Sequence, residues 1–392
     1  MLLVTKIWEQ RKLGEISETY SGGTPKVSIK SFYNKKEIPF IRSSDIHKNT
    51  TELYITKEGL EESSAKLVSK GQILYALYGA TSGEVDISKI DGAINQAILA
   101  INTHDNINYF IMLFLNKNKD KIIKKYIQGG QGNLSAKIVK NININITSKK
   151  EEKEISTFIK KFEKIFTLYE RKLKLLSWVK KYFLDNLFAE KEYPNLRFKG
   201  FTDAWEQRKI KDYASYRRGS FPQPYGKKEW YDGKDSMPFV QVVDVKENLR
   251  LVDHTKQRIS KLAQPQSVFV PTGKVLVTVQ GSIGRVAITQ YPSYIDRTLI
   301  VFEKYDTRTD KYFWAYTLQR KFDIEKRKAP GGTIKTITKK ALSEFIVTIT
   351  NYEEQNRLGI FFLKIDKLLA LYENKQQHLT EIKKTLLNTM FI

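Results

Sequence analysis

The chain has 392 residues and a formal net charge of +24, since 67 Lys and Arg residues outnumber 43 Asp and Glu residues. A hydrophobic content of 41% with 12% aromatic residues argues against a disordered basic tail, and the excess of cations favours a polyanionic partner. The lack of cysteine excludes disulfides, thiolate metal sites and thiol nucleophiles. No stretch approaches the roughly 18 apolar residues of a membrane span, so we expect a cytoplasmic location and no membrane contact.

The chain consists of two diverged copies of one sequence unit. Residues 8–13, WEQRKL, return as residues 205–210, WEQRKI, and Pro39–Ile46 matches Pro238–Val245. The spacing between matching residues grows from 197 at the first pair to 203 near the end of each copy. The second copy therefore carries about six extra residues in its loops.

Each copy opens with a globular part of mixed secondary structure. Short apolar runs bounded by glycine, such as 73–78 and 275–279, are typical of buried strands. Residues 141–146, NININI, alternate as a half-buried strand does, and helices are predicted around Tyr109–Asn116 and Tyr312–Arg320. We therefore predict an α+β fold with a central, mainly antiparallel sheet in each copy.

Each copy ends in a predicted long amphipathic helix, over residues 151–188 and 354–391. Apolar residues recur at alternating steps of three and four along two seams, which comprise Ile155, Phe158, Phe162, Ile165, Tyr169, Leu176, Val179 and Phe183, and Leu358, Phe361, Ile365, Leu368, Tyr372, Leu379, Ile382 and Leu386. One such stripe could be an ordinary core helix, but two in one register favour helices of about 57 Å that pair with each other. Lys172 and Lys375 interrupt the seams at equivalent positions, where a polar residue commonly fixes register.

Catalytic motifs are hard to find in this sequence. The four histidines, His47, His104, His254 and His378, show no metal-ligand spacing. There is no Walker A pattern, and no adjacent prolines exist that could form the Asn/Asp-Pro-Pro-aromatic loop of adenine methyltransferases. The glycine-rich segments 79–83 and 130–132 are interpreted as turns rather than phosphate loops. We predict no catalytic residues, no metal site and no cofactor bound by this chain.

Polar and cationic loops instead favour binding to nucleic acid. Segments such as 217–220 (RRGS), 225–228 (YGKK), 280–285 (QGSIGR) and 326–328 (KRK) place Lys and Arg beside Tyr, Gln and Ser. Cationic side chains neutralise phosphates, while Arg, Gln and Asn contact base edges in the major groove. A single basic loop is usually a solvated surface, but repeated ones in two copies of a cationic chain make nucleic acid the favoured partner.

The segment between the copies carries a resemblance to a known family. Pro194, the run Leu196-Arg197-Phe198, the pair Gly200-Phe201 and the run 205–209 (WEQRK) follow a long helix. This motif resembles the inter-domain segment of type I restriction-modification specificity (S) subunits. The Gly-Gly segment before the last strand of each copy and the globular–helix–globular–helix order are similar to the same family over essentially the whole chain. The first copy starts at Trp8 without the Arg-Phe-x-Gly-Phe lead-in.

The resemblance implies an α+β architecture of two duplicated DNA-recognition domains with mainly antiparallel sheets, separated by two long helices that pair as an antiparallel coiled coil about a pseudo-twofold axis. The expected divisions, in chain order, are 1–148, first target recognition domain; 149–190, first spacer helix; 191–204, linker; 205–350, second target recognition domain; and 351–392, second spacer helix. Each domain would read one half of a bipartite, asymmetric site in double-stranded DNA. Helix length would set the spacer between the half-sites.

The resemblance also implies partners. Two modification (methyltransferase) subunits would dock on the helices, and restriction (motor-nuclease) subunits would join through them. S-adenosylmethionine, ATP and Mg are expected on those partner subunits. The alternative is a coiled-coil adaptor with nonspecific nucleic-acid-binding domains, which would show no preference among DNA duplexes. A self-sufficient methyltransferase or nuclease would need a cofactor loop or carboxylate cluster that the sequence does not show.

The candidate DNA-binding residues fall into three groups. Candidates for base reading are Arg42, Ser43, Ser44, Tyr78, Thr81 and Ser82 in the first copy, and Arg218, Gln241, Gln280, Ser282 and Arg285 in the second. Candidates for phosphate contact are Lys227, Lys228, Lys326, Arg327 and Lys328, with Arg217 and Tyr225 in the same basic loops. The segments Gly129–Asn133 and Gly331–Lys335, with Gln131, Asn133 and Lys335, either approach DNA or only connect to the last strand. Asp45 and Asp244 hold equivalent places, and we predict a structural role for both, since an acid suits a phosphate surface poorly.

Overall fold

The computed structural model describes residues 8–127, 133–328 and 337–391. The chain divides into two compact units, unit 1 with residues Met1–Leu168 and Gln376–Ile392, and unit 2 with Tyr169–Lys375. Each unit contains one copy of the globular part and portions of both long helices. The duplication seen in the sequence is therefore present in the fold.

Unit 1 contains two four-stranded sheets, in the orders β2-β9-β6-β7 and β4-β3-β8-β5, and a two-stranded ribbon of β1 with β10. All its strand pairs are antiparallel except β3 with β8. In chain order its elements are β1 (Glu9–Lys12), α1 (Leu13–Ile16), β2 (Ser17–Ser21), β3 (Ile38–Ile41), β4 (Tyr54–Ile55), α2 (Lys57–Glu61), β5 (Lys66–Val68), β6 (Ile73–Ala76), β7 (Val85–Ile87), β8 (Gly92–Ile94), β9 (Ile98–Thr103), α3 (Asn108–Lys117), α4 (Lys119–Ile127), α5 (Ala136–Lys140), β10 (Asn143–Ile146) and α6 (Lys149–Leu187), which continues into unit 2.

Unit 2 repeats this topology, with sheets β12-β19-β16-β17 and β14-β13-β18-β15 and a ribbon of β11 with β20. Among the described strands of unit 2, the parallel pair is β13 with β18. Its elements are β11 (Glu206–Lys209), α7 (Ile210–Tyr213), β12 (Ala214–Arg218), β13 (Met237–Val240), β14 (Gln257–Ile259), β15 (Val268–Val270), β16 (Val275–Thr278), β17 (Val286–Ile288), β18 (Ser293–Ile295), β19 (Leu299–Tyr305), α8 (Lys311–Lys328), α9 (Lys339–Ser343), β20 (Ile346–Ile349) and α10 (Tyr352–Met390), which continues into unit 1. The mainly antiparallel α+β fold is confirmed, although two four-stranded sheets stand where one central sheet was predicted.

Strand β6 shows why the runs predicted as buried strands do not alternate between apolar and polar residues. Ile73 and Tyr75 pack into the core beneath α3, whereas Leu74 and Ala76 pack into the core between the two sheets. Successive side chains of a strand point to opposite faces, so a strand covered on both faces must be apolar throughout. In unit 2, β16 repeats this arrangement, since Val275 and Val277 face one core and Leu276 faces the other.

The long helices α6 and α10 pack against each other in opposite directions. In unit 2 the ring centroid of Tyr169 lies 5.8 Å from that of Tyr372, and that of Phe183 lies 5.2 Å from that of Phe361. The later residue of α6 therefore meets the earlier residue of α10. The predicted antiparallel pairing is confirmed.

The packed seam keeps every second position of the predicted one, such as Ile155, Phe162 and Tyr169, and is displaced by one residue between them. Ile159, which the predicted seam skipped, is fully buried. The predicted apolar seam residues that are exposed in the structure are Phe158, Ile165 and Leu368. Lys172 and Lys375 are exposed too, but the Lys172 ammonium lies 4.9 Å from the ring centroid of Tyr372 in α10, so this lysine does contact the other helix. The prediction was wrong at Phe158, Ile165 and Leu368 because each has an apolar neighbour in the chain, so steps of three and four can follow either of two adjoining stripes.

A different pair of lysines bridges the helices. Lys383 lies 2.8 Å from Glu163 in unit 1, and Lys180 lies 2.6 Å from Asp366 in unit 2. Both residues of the second bridge stand 203 positions from their counterparts in the first, so the two bridges are equivalent. A polar contact of this kind favours one register of paired helices.

Each bridging carboxylate also ties its globular part to the helices. The hydroxyl of Tyr109 in α3 donates to Glu163 at 2.5 Å, and that of Tyr316 in α8 donates to Asp366. Burial, followed by the adjacent carboxylate, raises the pKa of both tyrosines. Both phenols therefore remain neutral hydrogen-bond donors.

The linker motif of unit 2 packs against the start of α10. Arg197 donates to both carboxylate oxygens of Glu354, at 2.8 and 2.7 Å, and the indole of Trp205 donates to the same carboxylate at 3.1 Å. The Glu354 side chain is only 1% exposed. Phe198 packs edge-on against Phe361, with ring centroids 5.6 Å apart. The motif between the copies therefore has a structural role, since it attaches the linker to the start of α10.

Candidate nucleic-acid interface

In each unit, the sheet β4-β3-β8-β5 or β14-β13-β18-β15 contains two parallel strands, and these two strands end at the same edge of the sheet. In unit 1, Ile41 of β3 pairs with Ile94 of β8, so Arg42 and Asn95 leave the sheet side by side. In unit 2, Val240 of β13 pairs with Ile295 of β18 in the same way. Side chains that follow these strands are therefore presented together.

The first sheet of each unit delivers another loop to this edge. The backbone N–H of Leu77, just after β6, donates to the carbonyl of Ala97 at 2.8 Å. In unit 2 the N–H of Val279 donates to the carbonyl of Thr298 at 2.9 Å. The loops that carry several predicted DNA-binding residues thus begin beside the turns that follow β8 and β18.

We call this feature the loop edge. It comprises residues 21–25, 42–48, 77–84 and 95–97 in unit 1, and residues 218–226, 241–247, 279–285 and 296–298 in unit 2. Both loop edges are formed by loops at the ends of strands, of which β6, β8 and β16 are buried. Their backbones are therefore anchored by the cores.

A tyrosine lies at the centre of the loop edge of unit 2. The amide of Gln241 donates to the Tyr225 hydroxyl at 2.8 Å, and this hydroxyl lies 3.5 Å from Asp296. Burial, and next the negative charge of Asp296, raise the pKa of Tyr225 to about 12. The guanidinium of Arg297 lies 5.7 Å from the Tyr225 ring centroid, within the range of a cation–π contact.

Arg218 joins two further loops to this tyrosine. Its Nε donates to the carbonyl of Arg297, and one terminal nitrogen lies 3.5 Å from the side-chain oxygen of Gln280. The structure therefore brings together four residues predicted from sequence, Arg218, Tyr225, Gln241 and Gln280. It adds Arg297, which the sequence analysis missed.

Other candidates of unit 2 line a neighbouring cleft. Ser282, Arg285 and Lys326 lie around a cleft of about 460 Å³. The guanidinium of Arg285 donates to the carbonyl of Val245 at 3.3 Å and lies 3.6 Å from Glu247, which joins two loops of the edge. These contacts link Arg285 to the loop that follows β13.

The basic residues in and beside the loop edge of unit 2 differ in whether they form ion pairs with acidic side chains. Lys227 is paired with Glu229 at 2.6 Å, and Arg217 is paired with Glu303 at 2.7 Å. Arg217 also donates to the carbonyl of Phe269 at 3.0 Å, so it lies along the sheet rather than at the Tyr225 cluster. Lys228 is exposed.

The remaining predicted residues near the end of α8 and in the adjoining segments are only partly described. Arg327 belongs to α8, and for Lys328 only the helical backbone is described. Gln131, Lys335 and the glycine pairs at 129–130 and 331–332 lie outside the described residues. Asn133 is exposed, and the following Leu134 N–H donates to the carbonyl of Leu77 at 2.7 Å, beside the loop edge of unit 1.

Asp45 and Asp244 are structural, as predicted. Buried Asp45 accepts hydrogen bonds from the side chains of Lys48 at 2.7 Å and Arg42 at 3.3 Å. Burial acts to raise the pKa of Asp45, but these hydrogen bonds outweigh burial and lower it. Asp244 accepts hydrogen bonds from the backbone N–H groups of Gln241 at 2.8 Å and Lys256 at 2.9 Å.

The loop edge of unit 1 is less interconnected. Ser43 and Ser44 stand in the single 3₁₀ turn that Asp45 caps, and Arg42 remains partly exposed above it. The predicted residues of the β6–β7 loop, Tyr78, Thr81 and Ser82, are half-buried, and Ser82 donates to the carbonyl of Leu77 at 3.2 Å. Gln96 was missed by the sequence analysis, and its side-chain oxygen accepts a 2.6 Å hydrogen bond from Thr24.

Residues Gln96 and Arg297 had a detectable sequence signal. Each follows Asn or Asp directly after a buried strand, in matching positions of the two copies. Such residues favour tight turns that expose the next side chain.

Among the described residues, no cluster of three or more His, Asp or Glu side chains could hold a metal ion. In the described parts of the chain, no helix is both long and apolar enough to cross a membrane.

Comparisons with known proteins cover nearly the whole chain. The model of the type I restriction modification DNA specificity domain matches twice, at residues 5–177 and 202–381. The putative type I restriction enzyme MjaX specificity subunit of Methanocaldococcus jannaschii is 22% identical over 406 aligned positions, which cover 98% of this chain and 92% of that protein.

Two solved structures share the fold. The S subunit of a type I restriction-modification system from M. genitalium has a TM-score of 0.64 at 14% identity, with 100% of this chain and 98% of that chain covered. A chain from a structure describing complex assembly and conformational transition of the type I R-M system has a TM-score of 0.60 at 16% identity, with coverage of 100% and 99%. At these identities the likeness concerns the fold alone.

Proposed function

The chain belongs to the family of type I restriction-modification specificity subunits, and we propose that each of its loop edges reads one half of a bipartite, asymmetric site in double-stranded DNA. Specificity subunits are non-catalytic, and so is this chain. The observation that carries the proposal is the repetition of one loop edge in both units. Two readers on one chain suit a site of two different halves.

The charge of the chain supports a DNA partner. A net charge of +24 favours contact with phosphates, and release of their counterions supplies much of the affinity. Lys228 is exposed and Lys326 lies beside the loop edge of unit 2, so both are suited to phosphate contact. These contacts would position the domain without reading sequence.

Base reading would fall to the fixed side chains of the loop edges. Arg218, Gln241 and Gln280 present fork-shaped or amide groups, the kinds that make bidentate contacts to guanine and adenine. Gln241 bonds Tyr225, Arg218 bonds the carbonyl of Arg297, and Gln280 lies within 3.5 Å of Arg218, and these contacts restrict their orientations before DNA arrives. Restricted side chains lose less conformational entropy on binding, which favours affinity for the matching sequence.

The outer face of α6 supports the proposal of modification-subunit partners. In unit 2, Leu175, Trp178 and Tyr182 are 61%, 63% and 44% exposed, although each is a large apolar or aromatic side chain. In unit 1, Phe158 and Leu168 continue the same kind of surface. Contiguous exposed apolar side chains usually mark a protein interface. We propose that two modification subunits dock here and that restriction subunits join through them.

Adenine methylation would then take place on the partner subunits. A target base must be flipped out of the duplex before its methylation, and two loop edges would hold the duplex on both sides of that event. S-adenosylmethionine would bind to the modification subunits, and ATP and Mg to the restriction subunits. The two long helices, each of 39 residues or about 58 Å, would set the spacer between half-sites.

A selection experiment tests this function. The chain, tagged and assembled with its modification subunit, is mixed with DNA duplexes and RNA molecules of random sequence, and the retained molecules are sequenced. We expect two short blocks of different sequence at a fixed separation. Equal retention of all duplexes, or preferential retention of RNA, would refute the proposal and favour a nonspecific adaptor.

A further inference from the structure

The turns that follow β8 and β18 share one geometry. In unit 1 the Asn95 side chain accepts a hydrogen bond from the Ala97 N–H at 3.2 Å. In unit 2 the Asp296 side chain accepts hydrogen bonds from the N–H of Thr298 at 3.0 Å and from its hydroxyl at 2.7 Å. These hydrogen bonds span three residues in each turn, and the middle residue, Gln96 in unit 1 and Arg297 in unit 2, lies at the tip of the turn.

A glycine allows the backbone of a neighbouring strand end to approach each turn closely. A Cβ added at Gly22 would lie 1.8 Å from the carbonyl oxygen of Ile94, and one added at Gly219 would lie 2.2 Å from that of Asp296. The end of strand β2 or β12 therefore touches the backbone of the turn directly. The backbone, rather than any side chain at the tip, determines where the turn sits.

The tip residue is consequently free to differ between the units. Gln96 and Arg297 are both exposed, while Ala97 and Asp296 beside them are buried. An exposed side chain on a rigid turn does not contribute to the core. The two copies share the turn and present different groups, an amide in unit 1 and a guanidinium in unit 2.

Both tip groups retain the donors and acceptors needed for base reading. The Gln96 amide oxygen accepts from Thr24 at 2.6 Å, which leaves its second lone pair and both N–H donors. The Arg297 guanidinium lies over the Tyr225 ring, and among the described residues it forms no ion pair. Glutamine bonds adenine through two contacts in the major groove, and arginine bonds guanine in the same way.

We propose that Gln96 and Arg297 read one base pair at equivalent places in the two half-sites, Gln96 an A·T pair and Arg297 a G·C pair. This inference rests on the proposed function. It goes beyond that function because it assigns a base to a residue in each unit. The neighbours of Arg297 support its role, since Arg218 bonds its carbonyl and Tyr225 lies under its guanidinium.

Exchange of the tip residues tests the inference. The full chain carrying Gln96→Arg or Arg297→Gln is expressed with its modification subunit, and the methylated motif is determined by long-read sequencing. We expect Gln96→Arg to change one position of one half-site from adenine to guanine. Arg297→Gln should change one position of the other half-site from guanine to adenine. Each preference should shift by about tenfold or more in binding to duplexes that differ only at that position.

Two further variants separate base reading from charge and from folding. Arg297→Lys keeps the cation but loses the fork, so it should lose the preference for guanine while affinity for other duplexes is retained. Arg250→Gln removes an exposed arginine outside the loop edge and should leave the motif unchanged. Circular dichroism and thermal unfolding of each variant verify that the fold is intact.

The outcomes distinguish this inference from the function on which it rests. A wild-type motif that neither tip exchange alters would overturn the inference and leave the proposed function standing. An equal loss of affinity for all duplexes in Arg297→Gln would likewise overturn it, because phosphate contact explains such a loss. Absence of any motif with the wild-type chain would instead contradict the proposed function.

Discussion

Removal of the Arg197 guanidinium should strongly destabilise unit 2. Arg197 donates two hydrogen bonds, at 2.8 and 2.7 Å, to a Glu354 carboxylate that is 1% exposed. Arg197→Met keeps the apolar stem of the side chain but leaves the carboxylate buried without its cation. The remaining donors, such as the Trp205 indole, are neutral. Breaking one side of a buried ion pair costs about 3–5 kcal/mol, so we expect the free energy of unfolding to fall by that amount.

Urea unfolding followed by tryptophan fluorescence measures this effect. Four of the five tryptophans lie in unit 2, so the signal reports mainly on that unit. The matched control is Lys261→Met in the same unit, which breaks an exposed pair with Asp235 at 3.3 Å. Exposed pairs contribute about 0–1 kcal/mol, and the control should therefore unfold nearly as the wild type does.

A double variant identifies the buried charge as the cause. Arg197→Met combined with Glu354→Gln removes the uncompensated carboxylate while keeping an acceptor for the Trp205 indole. We expect it to be more stable than Arg197→Met alone by at least about 1 kcal/mol. If Arg197→Met unfolds within about 0.5 kcal/mol of the Lys261→Met control, the buried Arg197–Glu354 pair does not stabilise unit 2.

Three further predictions concern pH, a partner and DNA. Hydrogen bonds from two lysines, each at 2.7 Å, lower the pKa of Glu344 from 4.5 to about 2. This contribution to stability is present above pH 4.5 and lost as the pH falls towards 2, so the difference in urea midpoint between wild type and Glu344→Gln should shrink across that window. Trp178→Ser should reduce co-purification of the modification subunit, whereas Tyr193→Ser, which alters a similarly exposed aromatic residue in the linker, should not. Lys228→Ala should weaken binding to all duplexes alike and reduce the slope of log affinity against log salt by about 1, and a loss confined to one sequence would contradict a phosphate role.

Sequence reasoning succeeded where periodicity and repetition determine the structure. The long helices were located because an amphipathic pattern over 38 residues can hardly be satisfied otherwise. Buried strands such as Ile73–Ala76 were found because coverage on both faces requires apolar residues throughout. The duplication, visible in the repeated Trp-Glu-Gln-Arg-Lys motif, then placed each element twice.

It failed where tertiary packing chooses between equivalent local patterns. Either of two apolar stripes on α6 could have formed the seam, and only the structure shows that Ile159 is buried while Phe158 is exposed. The roles of Lys180 and Lys383 depended on the phase of that seam. Arg297 was missed because its importance comes from contacts with residues that are distant in sequence.

The prediction of the site was therefore partial. Residues such as Arg218, Tyr225 and Gln241 do converge at one loop edge, but their assignment to bases or phosphates remains a proposal. Loop residues are placed by the ends of strands rather than by their own sequence. Composition alone could not separate Lys227, which is paired with Glu229, from the exposed Lys228.

We propose that this chain directs methylation to a bipartite DNA site. Long-read methylation sequencing of DNA from cells that express the modification subunit with and without this chain tests it most directly. We expect a split motif with methylated adenine in both half-sites, present only when the chain is expressed. If the modification subunit is active and no motif depends on the chain, the claim is contradicted.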